Sequence, residues 1–199
     1  MIKKISVLSR NEIEYIIDHS DKFDHSWALI SIHCEHELIS SFKIMDRLKE
    51  LGCEEFLSID FADIEQQIAE FVLFNDGHAE KIINFINKHS HVDHLVIHCA
   101  AGISRSGAVG VFACRYLNLD EKDFRKTNKN ILPNMHVLST LTRVAGLNKN
   151  YVEFWENHRR VLRKRVHKIK FSTGKSYARK GLFKNEISNL NKDSTGSCG

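Results

Sequence analysis

The chain has 199 residues, 42% of them hydrophobic, enough to bury one core, so a single main domain is expected. Its five cysteines contain no CxxC pair, which excludes a dense disulfide framework and favours reduced thiols. The formal net charge of +4 is uneven, because residues 157–185 hold eleven Lys or Arg and no acid, leaving the rest of the chain acidic.

No apolar run approaches the length of a bilayer span, and "MIKKISVLSR" lacks the apolar stretch of a signal peptide. A cytoplasmic protein without a transmembrane segment is the expectation. Histidine is abundant, at twelve residues, with "HCEH" at 33–36 and His89, His91, His94 and His98 beyond it. Neither HExxH nor paired CxxC occurs, so neither a metal site nor a cofactor is expected.

In chain order, "KISVLS" reads as a first strand, and "SRNE" at 9–12 fits a capping box opening a helix through Ile17. "WALISIH" (27–33) reads as a strand of the buried kind. Residues 41–51 read as a helix with Phe42, Met45, Leu48 and Leu51 near one face. "EEFLSIDF" (54–61) is a third strand, followed by a polar stretch to about Asn75. A helix over 76–89, with Asp76 as its N-cap, leads into the strand "HLVIH" at 94–98.

Only helices follow: 106–118, about 120–128, 133 or 134 to 147, and 151 to about 168, with Pro133 placed in a first helical turn. Strands alternating with helices before a helical bundle imply an α/β fold. Its central sheet would be mostly parallel, four to five strands wide and flanked by helices. Residues beyond about 170 read as a weakly ordered tail.

Between the last strand and the next helix lies "IHCAAGISRSG" (97–107). It sets Cys99 at a strand end, where the unpaired N–H groups of a helix N-terminus collect anions. Such a setting, with Arg105 nearby, favours the thiolate and so a nucleophile. Arg105 could hold two oxygens of a tetrahedral anion at once. Gly102 permits the tight turn, and Ala100 and Ala101 keep the rim small. These parts predict attack of Cys99 on phosphorus.

The string His98-Cys99…Gly102…Arg105-Ser106 resembles the HCxxGxxR[S/T] loop of the cysteine-dependent tyrosine and dual-specificity phosphatases, most in the look of compact bacterial-type members. The resemblance spans roughly residues 5–150 and is motif-level outside the loop. It implies a dual-specificity-phosphatase-like fold, a phosphatase domain over 1–168 and a basic tail over 169–199. It also implies a phosphate cradle made of Cys99, Ala100, Ala101, Gly102, Ile103, Ser104 and Arg105. Ser106 would support the departing thiolate, and His98 would orient the loop and tune the thiol.

A general acid is implied as well, an aspartate on a mobile loop some thirty residues before the cysteine. Asp63 fits best, just past the third strand, with Asp60 and Asp76 as alternatives. "ILPNMHVLSTL" resembles a Pro-Asn segment of bacterial relatives, in which Asn134 would brace the loop. An N-cap role explains Asn134 equally well.

The implied activity is hydrolysis of phosphotyrosine in a phosphoprotein, extending to phosphoserine or phosphothreonine, through a cysteinyl phosphate. Alanines at 100 and 101, where inositol-lipid members usually carry a lysine, lower a lipid-phosphate reading. An RNA 5′-phosphatase and a non-catalytic phosphobinding module are the alternatives. The basic stretch 157–185 is either a solvated tail or a weak electrostatic contact for anionic membrane or nucleic acid.

Overall fold

In the computed structural model, described over residues 1–34, 42–148 and 150–173, with side chains at 42–44 and 162–173 excepted, four parallel strands form one sheet. These are β1 (Lys4–Ser9), β2 (Trp27–His33), β3 (Cys53–Asp60) and β4 (His94–Cys99), in the order β1-β4-β2-β3. The helices are α1 (Arg10–His19), α2 (Phe42–Glu50), α3 (Asp76–Lys88), α4 (Arg105–Tyr116), α5 (Glu121–Thr127), α6 (Met135–Val144) and α7 (Asn150–Thr173). The chain divides into two units, Met1–Arg159 and Arg160–Gly199, and the site described below lies in the first.

Strand β2 is buried along its whole length, and its side chains alternate between two cores. Ala28, Ile30 and Ile32 join Ile82, Ile86, Val109, Phe112, Leu138 and Leu141 from α3, α4 and α6. Trp27 and Leu29 join Ile13, Ile17 and Leu48 from α1 and α2 on the other face. A parallel sheet needs cover on both faces, and a mostly apolar run such as "WALISIH", polar at Ser31 and His33, suits that double burial. Each fully buried aliphatic or aromatic side chain contributes about 1.5–3 kcal/mol.

Helix α4 runs between the sheet and its neighbours, buried from Arg105 through Cys114. It approaches β1 closely because position 110 is glycine: a Cβ there would stand 2.6 Å from Val7 Cγ2. The capping box at α1 is formed, Ser9 Oγ accepting from Glu12 N while Glu12 Oε2 accepts from Ser9 N.

Two cap expectations are corrected. Asn75, not Asp76, caps α3, its side chain accepting from His78 N; Asp76 stands in the first turn and pairs with Arg143. Pro133 precedes the Asn134 cap of α6 rather than occupying its first turn. There its missing N–H and fixed φ set the approach to the cap.

The register aligns Ser9 with Cys99, Ser31 with His98 and His33 with Asp60, so the carboxyl ends of all four strands meet at one edge. That edge is where open α/β sheets place ligands. Among the described residues no helix is long and apolar enough to cross a membrane. Glu35 and His36 of the "HCEH" stretch, and the tail beyond residue 173, lie outside the described residues.

Candidate active site

Cys99 is the last residue of β4 and is buried, with its Sγ 3.0 Å from Ser106 Oγ in the first turn of α4. The intervening residues turn back on themselves and are braced on both sides. Arg10 N donates to Ala100 O, while Leu132 N and Asn134 N donate to Ile103 O and Ser104 O. The turn is possible because Gly102 has φ +65 and no Cβ; a Cβ would stand 2.5 Å from both Leu8 C and Ser9 N. Among the described residues, no protein acceptor takes up the backbone N–H groups of 100–104. Ala100 and Ala101 are exposed, and Gly102, Ile103 and Ser104 are half-buried. A curl of consecutive unmatched donors leading into a helix N-terminus is an anion-binding concavity.

Arg105 is 6% exposed. Its Nη1 donates to His33 O at 2.7 Å and to Phe61 O at 3.0 Å, the carbonyls at the ends of β2 and just past β3. Both hydrogens of one nitrogen are thus fixed to backbone, and the plane of the guanidinium is set by the sheet. The buried Nε has no protein partner, which leaves the Nε/Nη2 edge of the fork for an anion. No described carboxylate forms a salt bridge with this cation. The two carbonyl acceptors carry no sequence signal, because any residue supplies a carbonyl.

Asp63 and Asn134 arrive from two other segments. Asp63, exposed just beyond β3, accepts at Oδ1 from Ser104 Oγ (2.8 Å) and Asn134 Nδ2 (2.9 Å). Asn134 Nδ2 also donates to Ile64 O, while its Oδ1 accepts from Val137 N to cap α6. The bracing and capping roles of Asn134 are therefore filled at once, one by its amide nitrogen and one by its oxygen. Asp60 ends β3 with its side chain exposed, and no hydrogen bond among the described residues joins it to the loop.

His98 is fully buried on the opposite face of β4 from Cys99. Its Nε2 lies 2.5 Å from Ser31 Oγ, which is also 2.8 Å from His33 Nε2. A hydroxyl has one proton, so Ser31 donates to one ring and accepts from the other. Burial, reinforced by the nearby His33, Arg10 and Arg105, lowers the pKa of His98 to about 3, against an opposing pull from the Cys99 backbone. The ring is neutral at physiological pH. Sequence reasoning missed Ser31 and His33; the available signal was polar residues inside an otherwise apolar buried strand.

No protein-family model matches the chain, and no curated protein matches it. Solved structures do. Tk-PTP in its active form is similar at 19% identity and a TM-score of 0.45, over 72% of this chain and 92% of that one. DUSP15 is similar at 17% identity and a TM-score of 0.47, over 78% of this chain and 92% of that one. The Yvh1 phosphatase domain from Chaetomium thermophilum is similar at 18% identity and a TM-score of 0.37, over 78% and 89% of the two chains. The chemistry of the site stands on this chain's own residues.

Proposed function

We propose that the protein is a cysteine-dependent phosphatase that hydrolyses phosphotyrosine, and with it phosphoserine or phosphothreonine, in phosphoproteins. The observation that carries the reading is Arg105: a buried guanidinium fixed by two carbonyls and, among the described residues, without a carboxylate, beside five consecutive N–H groups with no protein acceptor there. A buried cation left in that state is costly unless an anion completes it. The loop holds one tetrahedral dianion, with the Cys99 sulfur behind its phosphorus.

The Cys99 thiolate attacks phosphorus, the P–S bond forms and the ester P–O bond breaks. Asp63 gives its proton to the departing oxygen from the rim, where Ser104 and Asn134 hold it. The same carboxylate then takes a proton from a water that attacks the cysteinyl phosphate. Inorganic phosphate leaves, and Ser106 donates its hydrogen bond to the sulfur as the thiolate is regenerated. Neutral His98 holds the strand end from behind and takes no proton in either step.

The exposed Ala100 and Ala101 add no cation to the rim, which favours a phosphoprotein over an inositol-lipid headgroup. The test is a substrate panel of phosphotyrosyl and phosphothreonyl peptides, an inositol phospholipid and a 5′-triphosphorylated RNA, each with the wild type and Cys99→Ser. Turnover of the peptides that vanishes in Cys99→Ser is expected. Preferential turnover of the RNA would replace this reading with the 5′-phosphatase, and binding without turnover would replace it with a phosphobinding module.

A further inference from the structure

The segment between β3 and α3 carries Asp63, and although Phe61, Ala62 and Phe74 at its ends are buried, the stretch between them is largely open. Ile68 is 53% exposed, Phe71 46% and Val72 36%, so its middle is not anchored in the core. Its ends are tied instead to α6. His136 Nε2 bonds to Phe74 O at 2.8 Å at the far end. At the near end, Asn134 reaches Asp63 and Ile64, and Met135 N donates to Glu65 Oε1 at 3.2 Å. The same Glu65 oxygen pairs with Arg159 Nη1.

Glu65 is thus placed where a carboxylate is favoured twice. It accepts from an N–H of the first turn of α6, where the helix dipole attracts negative charge, and it faces a guanidinium. The Arg159 side chain is only 12% exposed, so this pair is less screened than an ordinary surface ion pair. Only Ile64 separates Asp63 from Glu65, and Asn134 and Met135 are adjacent. The two ties therefore fix both position and direction of the short stretch that bears the acid.

We propose that Glu65, clamped between the Met135 N–H and Arg159, is a positioning residue that sets Asp63 over the phosphate cradle. Arg159, more than ninety residues downstream, then controls how well the leaving oxygen is protonated. This rests on the reading of Asp63 as the general acid. The clamp touches neither the phosphate nor Cys99, so it acts on protonation alone. A small misplacement of a catalytic group can cost on the order of 10²-fold in rate.

The experiment uses the full chain as Arg159→Met, Arg159→Lys and Glu65→Gln. Each is assayed on an aryl phosphate whose phenol needs no proton to leave and on one whose phenol does. Arg159→Met and Glu65→Gln should lose roughly 10- to 100-fold in kcat/KM on the second substrate and under about 2-fold on the first. Competitive inhibition by inorganic phosphate should hold in every variant. Arg159→Lys should recover most of the loss, a rescue that a merely structural role would not give.

Equal loss on both substrates, or no loss on the second, would overturn the clamp while leaving the phosphatase reading intact, provided the wild type is active and Cys99→Ser is not. A wild type inactive on both esters would overturn the phosphatase reading and the clamp with it. A variant that does not fold, seen as loss of the cooperative thermal transition, is replaced by Arg159→Lys against Arg159→Gln, which differ in charge but little in bulk. The same substrate split must separate those two, and its absence would overturn the proposal.

Discussion

At position 102 the backbone is left-handed, with φ +65, and a methyl group would press on the backbone of Leu8 and Ser9. Backbone cannot move aside as a flexible side chain can. Gly102→Ala should therefore destabilise the fold by about 1–3 kcal/mol and abolish most turnover, because the loop cannot close. An unchanged denaturation midpoint with normal turnover would contradict the geometry. The residues of this loop were legible in the sequence because their spacing is local and their types are specific: thiol, glycine, guanidinium. What fixes Arg105 was not, since its partners are carbonyls of His33 and Phe61, distant in sequence and without side-chain identity. Half-buried His94 and fully buried His98 show the same limit, because only the fold takes them out of water. Burial is the main cause in both, and each has its pKa lowered to about 3. A lowered histidine pKa means that the unfolded chain binds more protons between about pH 6.5 and 3. The stability these rings allow is therefore complete above 6.5 and is lost as pH falls toward 3. Lowered carboxylates such as Asp76 and Asp93 act only below about pH 4, so the upper part of the window belongs to histidine. The urea midpoint should fall between pH 6.5 and 4.5 in the wild type and less steeply in His94→Gln. Equal slopes would mean that His94 is not held neutral by the fold.

Among the elements, the segment after β3 separates the two aspartates. Asp63→Asn should lower kcat/KM for an ester with a poor leaving group by about 10²–10⁴-fold and leave kcat/KM nearly unchanged when the leaving group needs no proton. Asp60→Asn should leave both nearly unchanged, since Asp60 ends the strand without a bond to the loop. The reverse pattern would place the acid on the strand end and break the site as described. Most elements were readable from periodicity, and the Ser9–Glu12 box was read to the residue because both halves of it lie within one turn. Caps were less secure where two candidates stood side by side. At Asn75-Asp76 both side chains are suitable, and Asp76 is drawn instead to Arg143, a partner 67 positions away. The contact between Asp63 and Asn134 spans 71 positions and has no local signature, although each residue could be singled out by itself.

For the whole molecule, the decisive arrangement is the strand order, which inserts β4 between β1 and β2. That placement sets Ser9 and the start of α1 beside Cys99, and brings the ends of β2 and β3 within reach of Arg105. Alternating strands and helices announce a parallel sheet, but strand order depends on how the crossovers pack, which no single segment encodes. Beyond Arg159, which pairs with Glu65, the basic stretch 157–185 stands apart from this machinery in sequence. Truncation after residue 170 should leave hydrolysis of a small phosphoester nearly unchanged. If the stretch is an electrostatic contact, the cut should also weaken sedimentation with anionic vesicles or retention on RNA, and more so at low salt. Equal binding by both forms would make it a solvated tail. The central claim is covalent: phosphate passes through the sulfur of Cys99. Its most direct measurement is rapid acid quenching of Asp63→Asn during turnover of an aryl phosphate whose phenol needs no proton to leave, followed by mass spectrometry of the proteolysed chain. One phosphoryl group on the Cys99 peptide, absent in Cys99→Ser, is the result expected. Turnover with that peptide unmodified, or turnover that persists in Cys99→Ser, would contradict the account.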